Sequence, residues 1–296
     1  MLRIFVLDSN LDALQAAQKR WLDAIGTNKT KKLVTFHTEL GDAPSVVDLV
    51  IIATTAHRRV DLVRALKKHA LIRYWVFEKI LTQSALELDQ LLLVLGSETQ
   101  AWVNTPRRML TWHKLIRNHL TKQKPLHLRV GGKAWGLACN SIHFLDMLAW
   151  FSGEMLTHIS TVGLAKKWIE SKRPGNWEIM GKFEAHFSRG STATVTVEQG
   201  DPVDLSYQFR IEDGDLFWSI DEENGTAIRS DGLSVPGRLP FQSEVTPLLV
   251  DEILSTGKCE LPSLEISAET HRVFLDAMLM HWKKTVDASA TTVPIT

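Results

Sequence analysis

Four polar residues interrupt an apolar stretch near the middle of the chain: Cys139, Asn140, His143 and Asp146 within WGLACNSIHFLDMLAWFSGE, residues 135–154. Leu137, Phe144, Leu145, Leu148 and Trp150 recur at helical spacing, with Gly136 before them and Gly153 after. Residues three and four apart are neighbours on a helix, so Cys139, His143 and Asp146 share one face. An imidazole with a carboxylate one turn away is one way to hold a general base in a fixed orientation. The same pattern also describes a packed histidine in a buried helix.

Elements upstream of that stretch must position its partners. Leu2–Leu7, Lys32–Phe36, Val46–Ala53, Tyr74–Phe77 and Gln100–Val103 read as strands, and Leu11–Trp21, His57–His69 and Ser84–Leu95 as helices between them. Ser84 and Glu87 form a capping-box pattern, and VVDLVIIA has the continuous β-branched character of a strand buried on both faces. This alternation predicts a parallel, doubly wound α/β sheet over residues 1–105. Ligands of such sheets bind beyond the C-terminal strand ends, where Asp8, Thr54, Thr55, Glu78, Lys79 and Asn104 fall. Asp8 suits a ribose diol, or a surface turn. Glu78–Lys79 suits a ligand, or a solvated ion pair. No G-x-G-x-x-G is present, and the first strand already ends in the acidic residue expected about 20 residues after such a loop. The chain therefore reads as starting at the second strand of the fold, without its first β-loop-α unit.

Residues 106–296 change texture. Pro106 breaks the pattern, and Arg107–Leu120 reads as a helix whose paired arginines mark either a solvated helix start or a site for an anionic ligand. Leu126–Val130 reads as a strand. Later strands are expected over 157–164, 180–188, 192–198, 205–212 and 215–220, with turns at Gly190, Asp213–Gly214 and Asn224–Gly225. They suggest one open, mostly antiparallel sheet with helices on one face. Two helices, 241–254 and 263–284, close the domain, and 288–296 reads as a loose tail.

Composition narrows the class. Of 296 residues 44% are hydrophobic and 23% charged, ample for a core. Lys+Arg and Asp+Glu are both 34, which leaves no electrostatic footprint for nucleic acid or an anionic membrane. No apolar run of membrane-spanning length occurs, and MLRIFVLDSN turns acidic too soon for a signal peptide. Cys139 and Cys259 are far apart and offer no metal spacing, so a reduced, cytoplasmic protein with no metal is the simplest expectation.

Four segments, in order, resemble the Gfo/Idh/MocA family of NAD(P)-dependent oxidoreductases, and the resemblance covers nearly the whole chain. VVDLVIIATTAHRRVDLVRAL is similar to its fourth-strand region, and FEKILTQSALELDQL to its E-K-P motif with Ile80 in place of proline. WGLACNSIHFLDMLAWFSGE is similar to its G-x-x-x-D-x-G-x-H-x-x-D segment, with Cys139 at the aspartate before the histidine, and CELPSLEISAETHRVFLDAM to its C-terminal helix. Asn104–Met109 and Trp135–His143 resemble members from surface-polysaccharide sugar pathways. The resemblance implies an incomplete Rossmann domain (1–105) followed by an α/β substrate and oligomerisation domain (106–296). It implies Lys79 and His143 as catalytic residues. Asp8, Thr54, Thr55, Glu78, Lys79 and Asn104 would face the cofactor, and Lys79, Arg107, Asn140 and His143 the substrate. NAD is expected over NADP because a carboxylate at Asp8 repels a 2′-phosphate. A sugar or sugar derivative would be the substrate, and a homo-oligomer would cover the open sheet face. The missing loop and Cys139 favour an alternative, a non-catalytic relative acting as a sugar- or partner-binding module. Glycoside cleavage by transient oxidation is a third possibility that no residue here selects.

Overall fold

The computed structural model describes residues 2–25, 33–121, 124–200 and 206–296. Its first half alternates β1 (Arg3–Leu7), α1 (Leu11–Ile25), β2 (Leu33–His37), β3 (Val46–Ile52), α2 (Arg59–His69), β4 (Leu71–Phe77), α3 (Ala85–Leu95) and β5 (Gln100–Val103). All pairings here are parallel, but the sheet is in two pieces: β1 with β2, and β3-β4-β5. Among the described residues, β1 and β3 each lack a partner on one edge. The consequence shows in burial. Trp75, Val76 and Phe77 of the central strand β4 are buried on both faces, as their unbroken apolar pattern requires. β3 carries the same pattern, yet Ile51 is 39% exposed, and Phe5 of β1 is 42% exposed; at the strand starts Val46 and its register partner Leu71 of β4 are both exposed, at 66% and 75%. A cavity of about 420 Å³ lies where Leu2 approaches a helix of the second half, lined also by Thr246, Pro247 and Val250.

Ser84 starts α3 as expected: its hydroxyl accepts from the Glu87 N–H at 3.2 Å, while the Glu87 carboxylate accepts from the Gln83 N–H at 2.8 Å. The expected helix over Arg107–Leu120 is instead two pieces. Pro106–Met109 is a 3₁₀ turn, Leu110 is extended (φ −72°, ψ 123°), and α4 spans Thr111–Asn118. Arg107 and Arg108 are the reason: each is tied to a different buried carboxylate, described below.

The second half builds a nine-stranded sheet on β6 (Leu126–Lys133), β7 (Leu156–Ser160), β8 (Leu164–Glu170), β9 (Trp177–Phe187), β10 (Thr192–Glu198), β11 (Ser206–Asp213), β12 (Leu216–Asp221), β13 (Thr226–Arg229) and β14 (Ser234–Pro236). Its order is β14-β13-β12-β11-β6-β10-β9-β7, with β8 also on β9, and the pairs are antiparallel except β6 with β10. Strict alternation sends Ala193, Val195 and Val197 of β10 and Phe183, Ala185 and Phe187 of β9 into one core. Against that core lies α5 (Leu137–Ser152), buried on most of its circumference, which is why its pattern reads as nearly continuous apolar. α6 (Gln242–Thr256) and α7 (Leu264–Thr285) complete the chain. Leu249 and Ile253 of α6, and Leu264 and Ala268 of α7, pack on the β3-β4-β5 sheet, so the second half of the sequence also furnishes core for the first.

The terminal segment is not a loose tail. Val293 and Ile295 are fully buried and Thr296 is 5% exposed. Val293 N–H donates to Gln83 O (2.9 Å), Gln83 Nε2 to Ile295 O (3.1 Å), Trp177 N–H to Pro294 O (2.8 Å) and Ala56 N–H to Thr296 Oγ1 (2.9 Å).

Candidate functional site

Two loops at the C-terminal ends of β3 and β4 are clamped by one cation. Arg59, in the first turn of α2 and 1% exposed, donates to the carbonyls of Glu78 (2.6 Å), Ile80 (2.6 Å), Leu81 (3.1 Å) and Thr54. Burial lowers its pKa to about 10, so it remains charged at neutral pH, and four carbonyl dipoles answer that charge. The Lys79–Ile80 peptide bond is cis. This clamp fixes the direction in which Lys79 leaves its strand.

Lys79 points at the first turn of α5. Its Nζ donates to Cys139 O at 3.0 Å and Sγ at 3.2 Å, and lies 3.4 Å from Asn140 Oδ1. Asn140 is itself held, through Nδ2, on the Trp135 carbonyl at 2.6 Å. The helix begins at Gly136, whose φ of +75° suits glycine, and a Cβ there would meet Glu178 Oε1 at 3.1 Å and Asn140 Nδ2 at 3.3 Å. Having no side chain, Gly136 leaves the cap to another strand. Glu178 of β9 accepts from the N–H groups of Ala138 (2.8 Å) and Cys139 (3.1 Å). Burial pushes its carboxyl up to about 7, against those bonds and the charge of Lys79.

One turn further along α5 stands His143. Its Nδ1 is buried without a hydrogen-bond partner. Burial, then the charges of Lys79 and Arg107, hold its pKa well below the usual imidazole range, so the ring is neutral at physiological pH. Asp146 does not orient it, contrary to the spacing argument. That carboxylate is taken bidentately by Arg108 (2.6 and 2.9 Å) and by the Thr105 hydroxyl (2.9 Å). Shared helix face put the two residues near each other, and stronger charged donors outside the helix took the carboxylate.

Arg107 is likewise committed. It is 6% exposed and binds Glu222 through Nε at 2.9 Å and Nη2 at 2.6 Å, with the Phe144 ring 4.5 Å from its carbon. Tyr207 donates to the same carboxylate at 2.7 Å, and His113 Nε2 lies 3.2 Å from it. Burial works to raise the Glu222 pKa, but Arg107 and His113 outweigh it and hold the carboxyl well below its usual range.

Of the remaining cofactor candidates, Asn104 Nδ2 donates to Glu78 Oε1 at 2.5 Å, and its Oδ1 is buried without a partner. Thr54 is exposed and Thr55 half-buried beside the clamp. Asp8 stands apart, at the end of β1 in the two-stranded piece; it is exposed and accepts from the Asn10 N–H at 2.9 Å, a local turn. The structure therefore brings Lys79, Asn140, His143, Glu78 and Asn104 around one loop and leaves Asp8 outside it. Sequence reasoning missed Arg59, Glu178 and Glu222. Arg59 falls at the start of an expected helix, and single glutamates in a strand and a turn carry no periodic signal. Among the described residues, no group of three His, Cys, Asp or Glu side chains could hold a metal, and no helix is long and apolar enough to cross a membrane.

No protein-family model and no curated protein matches the sequence. Solved structures do. A UDP-N-acetylglucosamine 3-dehydrogenase from Acidithiobacillus ferrooxidans aligns with a TM-score of 0.66 at 16% identity, over 97% of this chain and 98% of that one. An NAD-binding oxidoreductase from Klebsiella pneumoniae aligns at 0.62 and 12% identity, over 95% and 96%. The super-repressor mutant of Gal80p from Saccharomyces cerevisiae aligns at 0.65 and 11% identity, over 96% and 97%. The chain thus shares the fold of these proteins, a parallel Rossmann-like part followed by a mixed sheet. At such identities the likeness is one of fold alone.

Proposed function

We propose that the chain is a nicotinamide-dependent oxidoreductase acting on a hydroxyl or carbonyl of a sugar or sugar derivative. The observation that carries this is Lys79, delivered by the clamped loop after β4 to the first turn of α5, with neutral His143 one turn away. Lys79 hydrogen-bonds the reacting oxygen and offsets charge developing on it, and His143 exchanges the hydroxyl proton. The ring's neutrality suits it to accept that proton, and its burial favours passing the proton on. Bound nicotinamide supplies hydride transfer.

The residues fit the nicotinamide end of such a cofactor. The unpartnered Asn104 Oδ1 is an acceptor for an amide N–H, and Glu78, Thr54 and Thr55 line the same strand ends. The described residues build no phosphate cradle. We propose that the edges of β1 and β3 that have no strand partner among the described residues flank the cofactor's phosphates, where an element bearing a glycine-rich turn would complete the site. Asp8 would then face the ribose and favour NAD over NADP. A homo-oligomer in the cytoplasm is part of this proposal, as is a role in making surface-glycan sugars, which rests on the wording around Asn104–Met109 and Trp135–His143.

Those open edges support a second reading, a non-catalytic binding module. The deciding measurement is NADH binding, read by nicotinamide fluorescence, for the chain as given and for a form extended upstream in frame. Binding by the extended form supports the enzyme. An absence of binding by both refutes it and leaves the module.

A further inference from the structure

Cys139 joins two charged groups that no motif connects. Its N–H donates to the carboxylate of Glu178, and its carbonyl and sulfur receive the ammonium of Lys79. A cation at a helix N-terminus stands against the macrodipole, and an anion there stands with it. Lys79 occupies the unfavourable position, on a 16-residue helix whose first residue offers no capping side chain. Glu178 reaches across from β9 and offsets both the helix end and the lysine.

A purely structural cap would not need this side chain. Serine or asparagine cap helices without keeping a buried charge. A carboxyl held far from its ordinary pKa in a cleft beside a lysine is the pattern of a group retained for function.

We propose that Glu178 is a positioning residue for Lys79: its carboxylate fixes the first turn of α5, against which the ammonium docks, and sets the charge the lysine experiences. The importance of this for catalysis rests on the oxidoreductase reading; the geometry does not. The carboxyl titrates near 7, so the arrangement changes within the physiological range. The groups facing Glu178 are Lys79 from the β4 loop and Cys139 from α5. Its cross-strand neighbour on β8 is Ile169, and the strap beside Trp177 presents Pro294, neither of them charged.

The test is pulse acetylation of the full chain between pH 5.5 and 8.5, with labelling of Lys79 read by mass spectrometry relative to exposed Lys182. With Glu178 ionised, Lys79 is held as a docked ammonium, and its relative labelling is low. In the wild type the ratio falls through an inflection near pH 7. In E178Q the inflection is lost and the ratio at pH 8 is about threefold higher or more. E178D restores part of it. A cap alone would lower the melting temperature of E178Q and leave the ratio unchanged, which overturns the proposal. A wild-type ratio with no inflection overturns it without any variant. No cofactor or substrate enters this experiment, so failure to bind NADH defeats the oxidoreductase reading and leaves this result standing.

Discussion

Removing Arg107 alone should cost far more than removing it together with Glu222. The pair is almost dry, at 6% and 2% exposure, and joined by two charge-assisted bonds of 2.9 and 2.6 Å. Arg107→Met leaves Glu222 with Tyr207 and His113 but no cation of its own, an uncompensated buried charge worth about 3–5 kcal/mol of stability. That is a large fraction of the roughly 5–15 kcal/mol by which a folded domain is stable. Glu222→Leu, which strands the arginine, should cost a similar amount. The double variant exchanges two ions for two apolar side chains of comparable size and should lose about 2 kcal/mol or less. The pH dependence changes sign. In the wild type the Glu222 pKa is held low, so the pair's stabilisation is present above about 4.5 and fades as pH falls through the folded value. In Arg107→Met the carboxyl is raised by burial, and acid relieves the loss by neutralising it. Urea unfolding of the four proteins at pH 5 and 8 measures both effects. Additive single losses, or a loss in Arg107→Met that is equal at the two pH values, would refute the reasoning and free Arg107 for an anionic ligand.

Glu178 predicts a second linkage of the opposite sense. Its carboxyl is raised from 4.5 to about 7, so between those values the folded state holds a proton that the unfolded state has released. Stability should fall as pH rises through that window, by up to about 3 kcal/mol, and E178Q should flatten the curve in calorimetry. Arg59→Met strips donors from four carbonyls in two loops and should destabilise by about 3 kcal/mol or more, and Arg59→Lys should restore little, because an ammonium lacks the planar fork; unchanged urea midpoints would contradict the clamp. Deleting Val293–Thr296 exposes the sites of two fully buried residues, worth about 1.5–3 kcal/mol each, and should lower the melting temperature by several degrees; a melting curve like the wild type's would mean the strap is only laid on.

What could be read in the chain follows from periodicity. The strands and helices of the first half, the capping of α3 by Ser84, the turns at Gly190 and Asp213–Gly214, and the helix that opens at Gly136 and closes at Gly153 are each local patterns. Lys79 and His143 could be singled out because they end a strand and interrupt an apolar helix. The failures came from contacts distant in sequence. Arg107–Leu120 has the composition of one helix, and only the competing pulls of Glu222 and Asp146 on adjacent arginines divide it. The last residues are too few for a period to be visible, and their burial depends on Gln83, Trp177 and Ala56, which lie far away in sequence.

The sequence by itself determined most of the strands and helices and the parallel character of the first half followed by the mostly antiparallel character of the second, because propensity and alternation are properties of residues and their near neighbours. The tertiary structure alone decided who partners whom. Asp146 went to Arg108 instead of His143, Glu178 came across from β9 to cap α5 beside Lys79, and Arg59 tied two loops together. Buried charges bind whichever complementary groups the fold brings within about 3 Å, and separation along the chain does not enter that choice. The edges of β1 and β3 are of the same kind: among the described residues each pairs on one side only, and which side follows from the assembled sheets.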